Sequence, residues 1–142
     1  MLTGIVSDHG GFALKEEIKK HFPDINWKDY GCFSEESVDY PDMAKYLAKG
    51  ILSNEISRGI AICGTGIGIS IALNRFNHIR AALCHDIVTA EMARKHNDAN
   101  ILSIGGRILD NEKAFAIIST FFTTEFEGGR HQRRVEKLET MG

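Results

Sequence analysis

The run Ile60-Ala61-Ile62-Cys63-Gly64-Thr65-Gly66-Ile67-Gly68-Ile69-Ser70 reads as a short buried strand that passes through glycines into a helix. Four apolar residues in a row suit a strand covered on both faces. The helix predicted after the glycines extends through Asn74. A strand, a glycine turn and a helix in succession form half of a βαβ crossover, and crossovers imply a parallel sheet. The same alternation continues toward the N-terminus. Leu2 to Ser7 reads as a buried strand, Asp8-His9-Gly10-Gly11 as a turn, and Leu14, Ile18 and Phe22 recur every four residues with Lys15, Glu16, Lys19 and Lys20 between them. That spacing predicts an amphipathic helix. Ile25 to Tyr30 is a weaker strand candidate, and Gly31 to Asp39 is polar and loop-like. Tyr40-Pro41-Asp42 looks like a helix start with proline in the first turn, followed by an apolar stripe of Ala44, Leu47, Ala48 and Ile51.

Toward the C-terminus, Ala81 to Cys84 predicts a strand, Val88 to Lys95 a helix, and Ile101 to Ile104 a fifth strand stopped by Gly105-Gly106. Ala114 to Phe122 is helical and apolar on most faces, which points to burial in the core or against a partner subunit. Gly128-Gly129 breaks the chain before a charged helix from about Arg130. The fold class expected is therefore α/β: a three-layer, Rossmann-like, doubly wound sheet of five parallel strands, with helices on both faces and a C-terminal helical extension. Residues 1–142 are expected to form one domain, since no repeat, low-complexity tract or linker divides them. Ligands in such sheets bind beyond the carboxyl ends of the strands.

Composition narrows the function. A formal net charge of -2 argues against a nucleic-acid partner, which calls for a basic surface. No run of eighteen apolar residues is present, so no membrane span is expected. Met1 to Ser7 has no basic region and reaches Asp8 too soon for a secretory leader. Cys32, Cys63 and Cys84 are odd in number and irregularly spaced, which suits free thiols in a reducing cytoplasm. No metal site is expected: His9, His85, His96 and His131 are scattered, with no HxxxH pair or carboxylate cluster.

Four segments carry candidate chemistry. Asp8 and His9 follow the first strand, where a polar pair could meet a ligand; equally, Asp8 could cap the next helix and leave His9 exposed. Cys63 ends a strand just before a helix, and the backbone N–H groups of Gly64 to Gly68 could hold an anion such as an enediolate. The same positive field favours a thiolate, although a buried cysteine at a strand end is common. The glycines are not a dinucleotide fingerprint, because the third position falls on Ile69, and no Gly-Lys-Ser/Thr of a phosphate loop follows. His96 suits proton transfer near neutral pH, or serves as a helix C-cap with Asn97 in a left-handed turn. Arg130 and Arg134 share one helical face and suit a phosphate dianion, or else pair with Glu136 and Glu139.

Taken in order, Ser7-Asp8-His9-Gly10-Gly11, Asp39-Tyr40-Pro41, Ile62 to Ser70, His96-Asn97-Asp98-Ala99-Asn100 and Glu127-Gly128-Gly129-Arg130-His131 resemble ribose-5-phosphate isomerase type B. The galactose-6-phosphate and allose-6-phosphate isomerases are its relatives. The resemblance covers essentially the whole chain, and five motifs in order are far more specific than any one. It implies that Cys63 is the base that moves a proton between C1 and C2. It implies that Thr65, Gly64, Gly66, Ile67 and Gly68 hold the substrate and stabilise the enediolate, and that His96 opens the furanose ring. Asp8, His9, Tyr40 and Asn97 would contact sugar hydroxyls and the ring oxygen, while Arg130 and Arg134 take the phosphate. His131 is a candidate phosphate contact. Some branches of the family carry glutamate where this chain has Cys63.

The resemblance also implies homodimers, often paired into tetramers, with active sites shared between subunits and no cofactor. The expected activity is aldose–ketose isomerisation of ribose 5-phosphate and ribulose 5-phosphate in the pentose phosphate pathway. The alternatives are an allose or galactose 6-phosphate isomerase, a phosphate- or nucleotide-binding module without activity, and a thiol redox protein using Cys63.

Overall fold

The computed structural model describes residues 2–141. Its first strand, β1 (Leu2–Ser7), is buried over its last four residues because sheet neighbours flank it on both sides and helices cover both faces. A single 3-10 turn, His9–Gly11, then leads into α1 (Phe12–His21). β2 (Trp27–Asp29), α2 (Tyr40–Leu52), β3 (Ile56–Cys63), α3 (Ile67–Leu73), β4 (Ala81–Leu83), α4 (Ile87–Lys95), β5 (Ile101–Gly105), α5 (Asn111–Thr123) and α6 (Arg130–Glu139) follow.

All strand pairs are parallel, in the order β2-β1-β3-β5-β4. The chain leaves β1 toward β2 on one side and returns to β3 on the other. The point where the order reverses therefore lies between β1 and β3, whose carboxyl ends carry Asp8-His9 and Cys63-Gly64. Crevices at such reversal points are where open α/β sheets receive ligands.

Two cores explain the layering. On one face Leu14 and Ile18 of α1, Ala90 and Ala93 of α4 and Ile117, Ile118 and Phe121 of α5 pack on Ile5, Ile60, Ile62 and Leu102. On the other, Ala44, Leu47, Ala48 and Ile51 of α2 and Ile69 and Leu73 of α3 pack on Val6, Ala61 and Ile101. Alternate residues of β1 and β3 thus point into different cores, as the period of two requires.

The predicted stripe of α2 is all buried, with Pro41 at its first turn. Asp86 caps α4, accepting the Thr89 N–H at 2.7 Å, and Asp110 caps α5, accepting the Lys113 N–H at 2.8 Å. Helix α5 keeps one face outward, at Ala116, Ser119 and Thr123. Lys15 departs from the expected polar face of α1: it is fully buried, its Nζ 2.6 Å from Asp29 and 3.2 Å from Glu16. Phe12 and Phe33 flank the same ammonium. A buried charge persists only when paired in this way.

Candidate active site

At the carboxyl edge of the sheet, predicted residues from three separate segments converge: Asp8 and His9, Tyr40, and Cys63 with its glycine loop. Cys63 is the last residue of β3, 5% exposed, and its Sγ accepts the Gly66 N–H at 3.1 Å. That bond strengthens when the sulfur is anionic. Gly66 makes the turn: it has φ 80°, and a methyl there would meet the Ile104 carbonyl carbon at 2.8 Å. Its carbonyl accepts from the buried Ser103 hydroxyl at 2.7 Å. Thr65 accepts the Ile67 N–H at 3.2 Å, pinning the start of α3, while Ile67 stays exposed. The loop that holds the thiol is therefore fixed from both sides.

Asp8 is buried and accepts the Gly10 N–H at 2.9 Å, so it caps the 3-10 turn as one reading predicted. His9 is half-buried rather than exposed, and its Nδ1 accepts the Val38 N–H at 3.2 Å. The neutral ring then carries its proton on Nε2, leaving that edge to donate. Tyr40 opens α2 and lies flat on Gly68, where a methyl would meet the ring at 2.6 Å. This close approach brings the phenol over the glycine loop.

A further cation stands here that the motifs did not single out. Arg107 follows β5 and leans over the same loop: a methyl at Gly64 would meet its Nη1 at 3.1 Å, and one at Gly10 its Cζ at 3.3 Å. Its own N–H donates to the Gly64 carbonyl at 2.9 Å. The signal in the sequence is only its place after Gly105-Gly106, at the end of a strand beside the reversal point.

The other predicted residues lie elsewhere. His96 is the C-cap of α4, its N–H donating to Met92, and the left-handed residue after it is Asp98 (φ 47°), not Asn97. Both precede β5 and so stand at the amino edge of the sheet. Cys63 pairs in register with Gly105 at the other end of that strand. Four residue steps at ~3.3 Å put roughly 13 Å of sheet between the two edges, beyond direct proton transfer.

His96, Asn97, His131, Arg134, Val135 and Leu138 line a cavity of about 320 Å³ at this amino edge. Arg130 is the first residue of the same helix, α6. Neither arginine takes the predicted partners: Glu139 pairs with Arg80 and His78, and Glu136 accepts from Gln132. Among the described residues the two guanidinium groups form no ion pair.

His96 and His131, expected to be scattered, are stacked with ring centroids 4.3 Å apart, and the Nε2 atoms lie 4.0 and 3.7 Å from Glu127 Oε1. Burial, then the neighbouring His96 and Arg130, push the His131 imidazole down from the ordinary histidine value.

The chain offers a thiol under a backbone N–H, a glycine loop at a helix start, a donor histidine and arginines outside any ion pair among the described residues. These are the parts of a proton-transfer isomerase acting on a phosphorylated sugar. The Ribose/Galactose Isomerase family model matches residues 3–138, and the chain belongs to that family of sugar phosphate isomerases. Ribose-5-phosphate isomerase B of Escherichia coli is 44% identical, over 92% of this chain and 89% of its own. A protein of Rickettsia typhi named for sugar phosphate isomerisation, with no sugar specified, is 49% identical over 95% of both chains. The crystal structure of a ribose 5-phosphate isomerase from Thermotoga maritima superposes with a TM-score of 0.96. It is 51% identical and covers 99% of this chain and 98% of that one. Among the described residues no helix is long and apolar enough to cross a membrane.

Proposed function

We propose that the protein interconverts ribose 5-phosphate and ribulose 5-phosphate through an enediolate. The observation that carries this reading is Cys63 Sγ held under the Gly66 N–H at the reversal point, with Asp8, His9, Tyr40 and Arg107 around it. His96 assists ring opening. Cys63, as thiolate, takes the proton from C2 of the aldose. Charge then develops on the C1 oxygen, where N–H groups of the Gly64 to Gly68 loop meet it. The proton of the C2 hydroxyl passes to the C1 oxygen, and Cys63 returns its proton to C1 as the C2 carbonyl forms. Arg130 and Arg134, with Arg107, hold the phosphate and supply binding energy away from the reacting carbons. The pentose is favoured by the relatives from Escherichia coli and Thermotoga maritima, which are named for it. The three free cysteines fit a reducing compartment such as the cytoplasm.

The chemistry needs both edges of the sheet at one substrate, and one chain presents them on opposite sides. The reading therefore includes a two-fold dimer in which the Cys63 edge of one chain faces the His96 and Arg134 edge of its partner. Pairing of such dimers into tetramers is compatible with it.

The test follows ketose formation from ribose 5-phosphate, allose 6-phosphate and galactose 6-phosphate, with EDTA present. Fast turnover of the pentose supports the reading. Turnover of a hexose phosphate alone keeps the chemistry and replaces the substrate. No turnover of any refutes the proposed reaction.

A further inference from the structure

The sequence pattern offered no metal site, yet folding brings three donor atoms together at the amino edge. One ring nitrogen of His96, one of His131 and one Glu127 carboxylate oxygen all lie within 4.8 Å of one another. The elements that carry them are tied. Glu127 donates its N–H to the Lys95 carbonyl at 3.1 Å, which sets it beside the last turn of α4 and His96. His131 is buried in the first turn of α6, its N–H on the Gly128 carbonyl at 3.1 Å.

Two imidazoles and one carboxylate form a donor set that zinc takes readily, with the fourth position left for water. Donors about 2 Å from a tetrahedral ion stand roughly 3.3 Å apart. The present spacings to Glu127 are 3.7 and 4.0 Å, and the two rings lie stacked within 13° of parallel, so binding one ion requires the His96 ring to swing out of the stack until its lone pair meets that of His131. Glu127 is exposed and His96 is half-buried, so both have room to turn. Lys95, Arg130 and Arg134 bring positive charge nearby and oppose the ion, while Glu127 offsets one charge.

We propose that His96, Glu127 and His131 form a binding site for a divalent transition-metal ion of the zinc class, and that filling it inhibits the enzyme. The ion occupies a ring nitrogen of His96 and ties it to His131, so that nitrogen no longer reaches a sugar oxygen. The inhibition rests on the role proposed above for His96; the binding does not.

The experiment is calorimetric titration of the intact protein with zinc chloride in a non-chelating buffer, beside Glu127→Gln, His131→Ala and Cys63→Ser. Circular dichroism checks that each variant is folded. One ion per chain is expected for the unaltered protein and for Cys63→Ser, with binding weakened about tenfold or more in Glu127→Gln and in His131→Ala. Cobalt should bind without a sulfur-to-metal charge-transfer band. Unchanged affinity in folded Glu127→Gln, lost affinity in Cys63→Ser, or no binding by the unaltered protein overturns the site. Zinc should also slow isomerisation in the unaltered protein and do so less in Glu127→Gln. Binding without inhibition upholds the site, overturns the inhibition and counts against ring opening by His96.

Discussion

Two dead variants should restore each other. Cys63→Ala removes the base at the carboxyl edge, and His96→Ala removes the imidazole at the amino edge, roughly 13 Å of strand away in the same chain. If each site joins the Cys63 edge of one chain to the His96 edge of its partner, a mixed dimer contains two different sites. One has lost both groups; the other has both. Equal amounts unfolded and refolded together give mixed dimers as half of the population, so about a quarter of all sites are intact, against almost none in either parent. The assay is ketose formation per milligram after co-refolding, with each variant refolded alone as the control. A gain to about a quarter of unaltered activity, with an unaltered KM, is expected. A mixture no more active than the average of its parents would refute the shared site.

Other outcomes follow from the same geometry. Cys63→Ala should keep its fold and lose a hundredfold or more in kcat, as about that much is typical when a positioned acid–base group is removed; near-normal turnover sinks the assignment of the base. Gly66→Ala should destabilise the protein by about 3 kcal/mol, since φ of 80° is strained for alanine and the methyl meets Ile104 at 2.8 Å, read as a lowered denaturant midpoint. Asp29→Asn should cost about 3 kcal/mol by weakening the pairing of buried Lys15. Burial opposes the Asp29 charge, but hydrogen bonds from Lys15, Lys19 and the Gly31 N–H outweigh it and hold the carboxyl below its ordinary range. A depressed carboxyl stabilises fully above its unfolded value of about 3.9 and loses that contribution as pH falls through the folded value. Equilibrium unfolding in that acid window should therefore fall more steeply for the unaltered protein than for Asp29→Asn.

What the chain announced in advance was what depends on neighbours in sequence. β1 and α2 are legible because an apolar run and an apolar stripe are local patterns, and each forms at the predicted residues. β3 begins four residues earlier than Ile60: Ile56 pairs with Leu2, and Ser57 and Arg58, which look like loop, fall in the register shift before Gly59 meets Gly4. Lys15 read as solvent-facing because its partner, Asp29, belongs to a strand fourteen residues away. Arg107 belongs to no motif, and only the packing of β5 beside β3 brings it over Gly64. His96 and His131 are thirty-five positions apart, so their stacking has no spacing to betray it. The residues expected at one site fall on two edges for the same reason: order along a chain says which segments matter, and sheet direction decides which end they occupy.

That direction has a kinetic consequence. A newly made chain folds with its thiol and its imidazole facing apart, so on the proposed reading it is inert until it meets a second copy. Activity then grows with the square of protein concentration at high dilution and in simple proportion once pairs are complete. A sugar phosphate that touches both chains also acts as a tie between them, drawing the equilibrium toward pairs by mass action. Progress curves started from very dilute enzyme should accelerate before they settle, and substrate itself should shorten the delay.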